Sequence, residues 1–296
     1  MRRSWIAPTL FASLILATAG IRAQNSTDNS TKPPPTPEQT SAAVNAPLKS
    51  GRPTVFIVGD STARNQADLG WGDHLAHYFD TLRINVANRA IAGRSSRTFI
   101  HEGAWDKVLA EIKPGDFVLI QFGHNDGGDI DGAKPRGSLK GVGDESRSVT
   151  LKDGQVEIVH TYGWYLRKFV TDATAKHATP ILLTLTVRNI WKNDADGKPQ
   201  VERDMGYAAS IQQIADELHV LVADMGKVEA DRLQAVGPDK AALLFPKDHT
   251  HTSAEGAELN AQSVVIALRA VQTPLDAYLK PATSGADARE QEQISK

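Results

Sequence analysis

Four residue types in this chain can together perform acyl transfer: a serine, an aspartate, a histidine and an asparagine, each beside a Gly or Asp punctuation point. Ser61 follows the run Val55-Phe56-Ile57-Val58-Gly59-Asp60. A hydroxyl becomes a useful nucleophile only when a base removes its proton. His251 is the leading base. It stands three residues after Asp248 and just before a helix start, so one loop can hold both side chains. The aspartate would then accept from one ring nitrogen, fix the tautomer and stabilise the imidazolium. His249 shares that loop and remains a rival. His124 is weaker, because no carboxylate stands three residues from it. An oxyanion would need donors, and three are at hand: the Ser61 N–H, the Gly93 N–H and the Asn125 side-chain amide. Gly93 lets backbone approach a substrate closely. Taken singly, each has a plainer reading: a helix cap for Ser61, a turn for Gly93, a turn cap for Asn125.

The elements that must position these residues are legible as a pattern. Val55–Val58 is a short apolar run ending in Gly, the signature of a strand buried on both faces. A helix is expected to open directly after it, so Ser61 falls at a strand's carboxyl end beside a helix N-terminus. In open α/β sheets ligands bind at that edge. Further strands are expected over 84–91, 117–122, 180–187 and 220–224. Helical periodicity links Leu75, Tyr78, Phe79 and Leu82, then Trp105, Val108, Leu109 and Ile112, then 162–176, then Ile211, Ile214, Ala215 and Leu218. A short helix follows the fifth strand. A last helix carries Val264, Val265, Leu268 and Val271, and Thr252-Ser253-Ala254-Glu255 fits a capping box at its start. Strand and helix alternate five times, which argues a parallel sheet with helices on both faces. Segment 127–155 shows no periodicity and is too long for an ordinary connection, so it reads as a functional loop or a mobile insertion over the site.

Composition narrows the class. At 41% hydrophobic and 23% charged, the 296 residues suit one globular domain, and a formal charge of −2 with no basic stripe argues against nucleic acid. There is no cysteine, hence no disulfide framework, thiolate nucleophile or cysteine metal site. Residues 1–23 pair Arg2-Arg3 with an apolar stretch and end on Ala23, the pattern of a cleaved signal peptide, which points to an exported protein, periplasmic or extracellular, with no stable membrane association. Residues 24–51, rich in Ser, Thr and Pro, read as a disordered linker. The catalytic domain is expected over 52–275 and a polar tail over 276–296. No phosphate-binding GxxxxGK[ST], proper GxGxxG or nucleophile-elbow GxSxG occurs.

The four blocks together resemble the SGNH (GDSL-type) hydrolases: GDST at 59–62, the Gly of AGRSS at 92–96, GHND at 123–126 and DHTH at 248–251. The fuller strings GDSTA with a later GWG, NRAIAGRSSRTFI, IQFGHND and DHTHTSAEGA are similar to rhamnogalacturonan acetylesterases. The resemblance implies a flavodoxin-like three-layer α/β/α sandwich with a five-stranded parallel sheet and no cofactor or metal. It also implies Ser61 as nucleophile, Asp248 and His251 completing the triad, and Gly93 and Asn125 completing the oxyanion hole. The implied activity is removal of O-acetyl groups from a plant cell-wall polysaccharide, most of all pectic rhamnogalacturonan. Another acetylated glycan such as xylan, a lipase or thioesterase activity, and a silent glycan-binding protein are the alternatives. The Arg- and Gly-rich loops argue against an acyl groove, and a binder has no need of the complete set. Arg64, Arg94, Arg97 and Arg188 lie near the proposed site and can meet uronate carboxylates. Arg94 or Arg97 can equally brace a loop against Asp60 or Asp126. Trp71 and Trp191 can stack on a sugar or pack in the core.

Overall fold

The computed structural model of the protein describes residues 47–282. The expected signal segment 1–23, linker positions 24–46 and tail positions 283–296 lie outside the described residues. In chain order the strands are β1 (Thr54–Gly59), β2 (Asn85–Asn88) and β3 (Phe117–Gln121), a hairpin of β4 (Ser146–Thr150) and β5 (Val156–His160), then β6 (Thr179–Leu183), a hairpin of β7 (Trp191–Asn193) and β8 (Pro199–Val201), and β9 (Leu221–Ala223). Five of them form one parallel sheet in the order β2-β1-β3-β6-β9. The order reverses at β1, so the β1/β3 carboxyl edge is the switch point where such sheets open a crevice.

The alternation of β1 explains the layers. Val55 and Ile57 face one side, where they join Trp71, Leu75 and the apolar stripe Ala261–Leu268 of the last helix. Phe56 and Val58 face the other side and pack with Phe99, Trp105, Leu166 and Phe169. Phe122 and Phe169 stack there at 5.1 Å, with the Trp105 edge 4.9 Å from Phe169. Each large apolar side chain so buried is worth roughly 1.5–3 kcal/mol. Helices therefore cover both faces, and the expected α/β/α sandwich with a five-stranded parallel sheet is the fold observed.

Several local expectations differ. The strand ladders are shorter than the apolar runs. Leu185 and Val187 stay buried after β6 ends, but the Val187 N–H donates to the Glu229 side chain rather than to a neighbouring strand. The helix expected through Leu82 is a four-residue helix, Trp71–His74, and a 3₁₀ turn, Leu75–Tyr78. It stops because Phe79 leaves as an extended residue bridging to Leu279, and Leu82 is 74% exposed. The short helix after the fifth strand is two, Met225–Val236 and Pro238–Leu244, divided by Gly237 at φ 80° and a proline at the second helix's first turn. The last helix, Ala254–Ala270, is capped by Ser253, whose oxygen accepts from the Gly256 N–H. The Thr252 hydroxyl donates instead to the Leu69 carbonyl.

Segment 127–155, where no element was expected, contains a strand, β4, and β5 follows it. The pattern was hidden because β5 is inside out: Val156 and Ile158 are exposed while Glu157 points inward. There Glu157 meets the fully buried Arg97 in a bidentate ion pair, Nε–Oε1 2.8 Å and Nη2–Oε2 2.5 Å. Arg97 Nη1 also donates to the carbonyls of Ile130 and Gly137. Stranding one partner of such a buried pair typically costs about 3–5 kcal/mol, so the insertion is held firmly to the sheet layer.

Candidate active site

Ser61 sits in a turn, not at the start of a helix. The Asp60 carbonyl accepts from the N–H groups of Ala63 and Arg64, and Asp60 Oδ1 accepts from the Thr62 N–H and hydroxyl, both at 2.8 Å. A helix cannot propagate because the carbonyls of Thr62 and Ala63 accept from Trp71 and Gly72, at the start of the helix Trp71–His74. That close return requires glycine. A Cβ on Gly70 would lie 2.5 Å from Ala63 and Arg64 backbone atoms, and one on Gly72 would lie 2.7 Å from the Ala63 carbonyl. The GWG string is thus the partner of the serine turn. Trp71 between the glycines is fully buried and donates its indole N–H to Gln121, 2.9 Å.

His251 reaches this turn from the other end of the chain. Its Nε2 is 2.9 Å from Ser61 Oγ, and its Nδ1 is 2.7 Å from Asp248 Oδ2. Asp248 Oδ1 accepts from the N–H groups of Thr250 and His251, 2.7 and 2.8 Å. Burial pushes the Asp248 carboxyl up, but the bonds from the His251 ring and the two N–H groups outweigh it and hold it at about 2. It is therefore a carboxylate, able only to accept, which places the imidazole proton on Nδ1 and the lone pair on Nε2 toward Ser61. Leu69 and Asn189 set the loop: Thr252 bonds to the Leu69 carbonyl, and the Asn189 N–H donates to the His249 carbonyl.

Two more loops carry the other candidate donors. Gly93, after β2, has φ 79°, a left-handed conformation that favours glycine. Among the described residues, neither the Ser61 nor the Gly93 N–H is spent on a protein acceptor. Asn125, after β3, is buried and donates one amide hydrogen to the Arg94 carbonyl, 2.8 Å, which ties it to the Gly93 loop. Next to it, Asp126 accepts from Ser96 N–H, 3.2 Å, and from the hydroxyls of Ser96 and Ser138. Burial pushes its carboxyl up to about 6 despite those bonds. Asp126 thereby locks the Asn125 turn to the helix Ser96–His101 and to the insertion.

These elements, their order and their spacing match known proteins. A model of the GDSL-like lipase/acylhydrolase family matches residues 57–259. The chain belongs to that family. A rhamnogalacturonan acetylesterase of Emericella nidulans is 33% identical over 215 residues, 73% of this chain and 84% of that one. The Bacillus subtilis rhamnogalacturonan acetylesterase RhgT is 29% identical over 245 residues, 76% and 93% of the two chains. Among solved structures, the Bacillus subtilis protein YxiM superposes with a TM-score of 0.59 at 25% identity over 75% of this chain, which spans just over half (57%) of that longer protein. An acetyl-xylooligosaccharide esterase from Geobacillus, at 20% identity and a TM-score of 0.51 over 80% of this chain and 99% of that one, shares the fold.

Within this GDSL-like frame the rival bases fall away by position. His249 is exposed and its Nδ1 is 2.8 Å from the Thr250 hydroxyl. His124 is bonded to Thr186, 2.8 Å, and burial holds its pKa down. The substrate candidates divide more sharply. Trp71 is core and offers no face to a sugar. Trp191 is half-buried, bonded to Asn189 and packed on a small cluster around Val187, Leu233 and Phe245. Arg97 is buried with Glu157, not with Asp60 or Asp126. Arg94 pairs with Glu102, 2.8 Å, and Arg64 donates to the Asn88 carbonyl, 3.0 Å. Arg188 is half-buried, and its charge helps hold the His124 pKa down.

Sequence reasoning missed Glu229, which no motif marked. It is fully buried on the helix Met225–Val236 and accepts from the Val187 N–H, 2.8 Å, fixing the chain that leads to Arg188 and Asn189. Burial pushes its carboxyl from 4.5 up to about 8. The folded state then holds a proton that the unfolded chain releases, so stability falls as pH rises from 4.5 to about 8. Glu229→Gln keeps the acceptor and removes the titration. Thermal scans should show the melting temperature of the wild type dropping relative to Glu229→Gln between pH 5 and 8.5. Parallel curves would mean that Glu229 titrates as it does in the unfolded chain.

Proposed function

We propose that this carbohydrate acetylesterase releases acetate from pectic rhamnogalacturonan through an acyl-enzyme on Ser61. The observation that carries the reading is the unbroken relay from Ser61 Oγ through His251 to Asp248, at 2.9 and 2.7 Å. His251 Nε2 takes the Ser61 proton as Oγ adds to the acetyl carbonyl. The carbonyl electrons move to oxygen, and that oxyanion is met by the N–H groups of Ser61 and Gly93 and by the Asn125 amide. Such donors are each worth on the order of 10²–10³ in kcat. His251, now imidazolium and stabilised by Asp248, passes its proton to the departing sugar oxygen. Water then loses a proton to His251, adds to the acetyl-serine and releases acetate, returning the proton to Ser61. Two relatives named rhamnogalacturonan acetylesterases support the pectic substrate. The basic, apolar and small-residue order of positions 1–23 supports export to where such polymers are met.

Acetate release from acetylated rhamnogalacturonan and from acetylated xylan tests the substrate. The kcat/KM on the pectic polymer should exceed that on xylan by at least about tenfold, the least that one lost charged hydrogen bond removes. A preference for xylan would keep the ester chemistry and sink the pectic assignment.

A further inference from the structure

The arginines on the loops around Ser61 divide by partner. Arg94 and Arg97 are spent on Glu102 and Glu157. Two others are not. Arg188 leaves the carboxyl side of β6, and its Nε is buried with no hydrogen-bond partner among the described residues. Its charge acts on His124, and the next residue, Asn189, donates its N–H to the His249 carbonyl in the loop that carries His251. Arg136 belongs to the insertion 127–155. Its Nη1 lies 3.3 Å from the Gly93 carbonyl, and a Cβ built on Gly93 would stand 3.8 Å from that same nitrogen. Neither guanidinium has a carboxylate within ion-pair distance among the described residues. One therefore flanks the oxyanion side of the cleft and the other the histidine side.

A partly buried guanidinium without a counter-charge carries a desolvation cost that an anionic ligand would relieve. Its planar fork matches a carboxylate two bonds at a time. Beside Asn125 opens a cavity of about 300 Å³ lined by Asp126, Ser138, Lys140, Tyr162, Tyr207 and Ser210, at the small end of the usual ligand-pocket range. Tyr207 also feels the Arg188 charge. The cavity thus adjoins the turn that carries Asn125, has room for a sugar ring, and has in Tyr207 a wall residue within reach of the Arg188 charge.

We propose that Arg136 and Arg188 are carboxylate anchors that grip uronate sugars neighbouring the acetylated residue, and so determine a preference for acidic glycans. The proposal rests on the reading of the chain as a pectic acetylesterase and adds the residues that would make it one. It also gives the insertion a purpose: the Arg97–Glu157 pair fixes the segment from which Arg136 reaches Gly93.

The test compares kcat/KM on acetylated rhamnogalacturonan oligosaccharides with that on the same oligosaccharides after their uronate carboxyls are reduced to alcohols. Wild type, R136Q, R188Q and the double variant are measured, each checked by its melting temperature. The wild type should favour the carboxylate form. Each substitution should cut that preference ratio by about 10- to 100-fold, the range expected for a charge-assisted hydrogen bond, with the effect mainly in KM. Raising salt from about 0.05 to 0.5 M should erode the wild-type preference and leave the double variant indifferent. A wild-type preference that survives in all variants, or a loss that is equal on both substrates, overturns the proposal while leaving the pectic reading intact. A wild type that works better on acetylated xylan than on either oligosaccharide overturns both. If R188Q melts early, R136Q alone still decides, because Arg136 makes one long bond and contributes little to the core.

Discussion

Ser61→Ala is expected to lower kcat on acetyl esters by about 10⁶-fold while leaving the protein folded. The size follows from what is removed. Without Oγ no acyl-enzyme forms, and the remaining donors can only polarise the carbonyl for attack by water, a residual catalysis of about 10³–10⁴ over the uncatalysed rate. The fold should tolerate the change because the Ser61 hydroxyl bonds to His251, whereas the turn is held by Asp60, Thr62 and the Trp71–Gly72 backbone. Steady-state acetate release combined with a thermal scan checks it. A variant that melts normally and still turns over within about a hundredfold of wild type would mean that Ser61 is not the nucleophile.

Most of this site was legible in the sequence because it lies where the code is least ambiguous. β1 and β3 are buried on both faces, so their apolar runs are continuous and their ends are marked by Gly59 and Gly123. Ser61 and Asn125 follow those ends directly. The Asp248–His251 spacing needs only one loop. What escaped depended on pairing across distance. β5 exposes Val156 and Ile158 because its inward position must be the acidic Glu157, the partner of an arginine sixty residues earlier. Trp71 looked available to a sugar because nothing local says that Gln121 awaits its N–H. The serine turn looked like a helix start because the groups that take its carbonyls come from residues 71 and 72. Glu229 and Arg136 carry no local signal at all. One sits on an ordinary amphipathic helix, and the other lies in a segment without periodicity.

His251→Ala is expected to cost nearly as much as Ser61→Ala, and the double variant should be no worse than either alone. Residues acting as a unit are not additive: once the base is gone, the hydroxyl is an unactivated alcohol, and once the hydroxyl is gone, the base has nothing to activate. Asp248 should differ in degree. Its carboxylate, held at about 2, fixes the Nδ1 proton and steadies the imidazolium but touches no reacting atom. Asp248→Asn offers an amide that can present N–H to Nδ1, which pushes the ring proton to Nε2 and turns the base away from Ser61. The expected loss is about 10⁴-fold. Because Asp248 stays ionised down to about pH 2, it should contribute no ionisation to the pH–rate profile above pH 4. Kinetics of the three single variants and the Ser61→Ala, His251→Ala double check the set. Losses that multiply in the double variant would show that Ser61 and His251 act separately, and the relay read from their 2.9 Å contact would have to be abandoned.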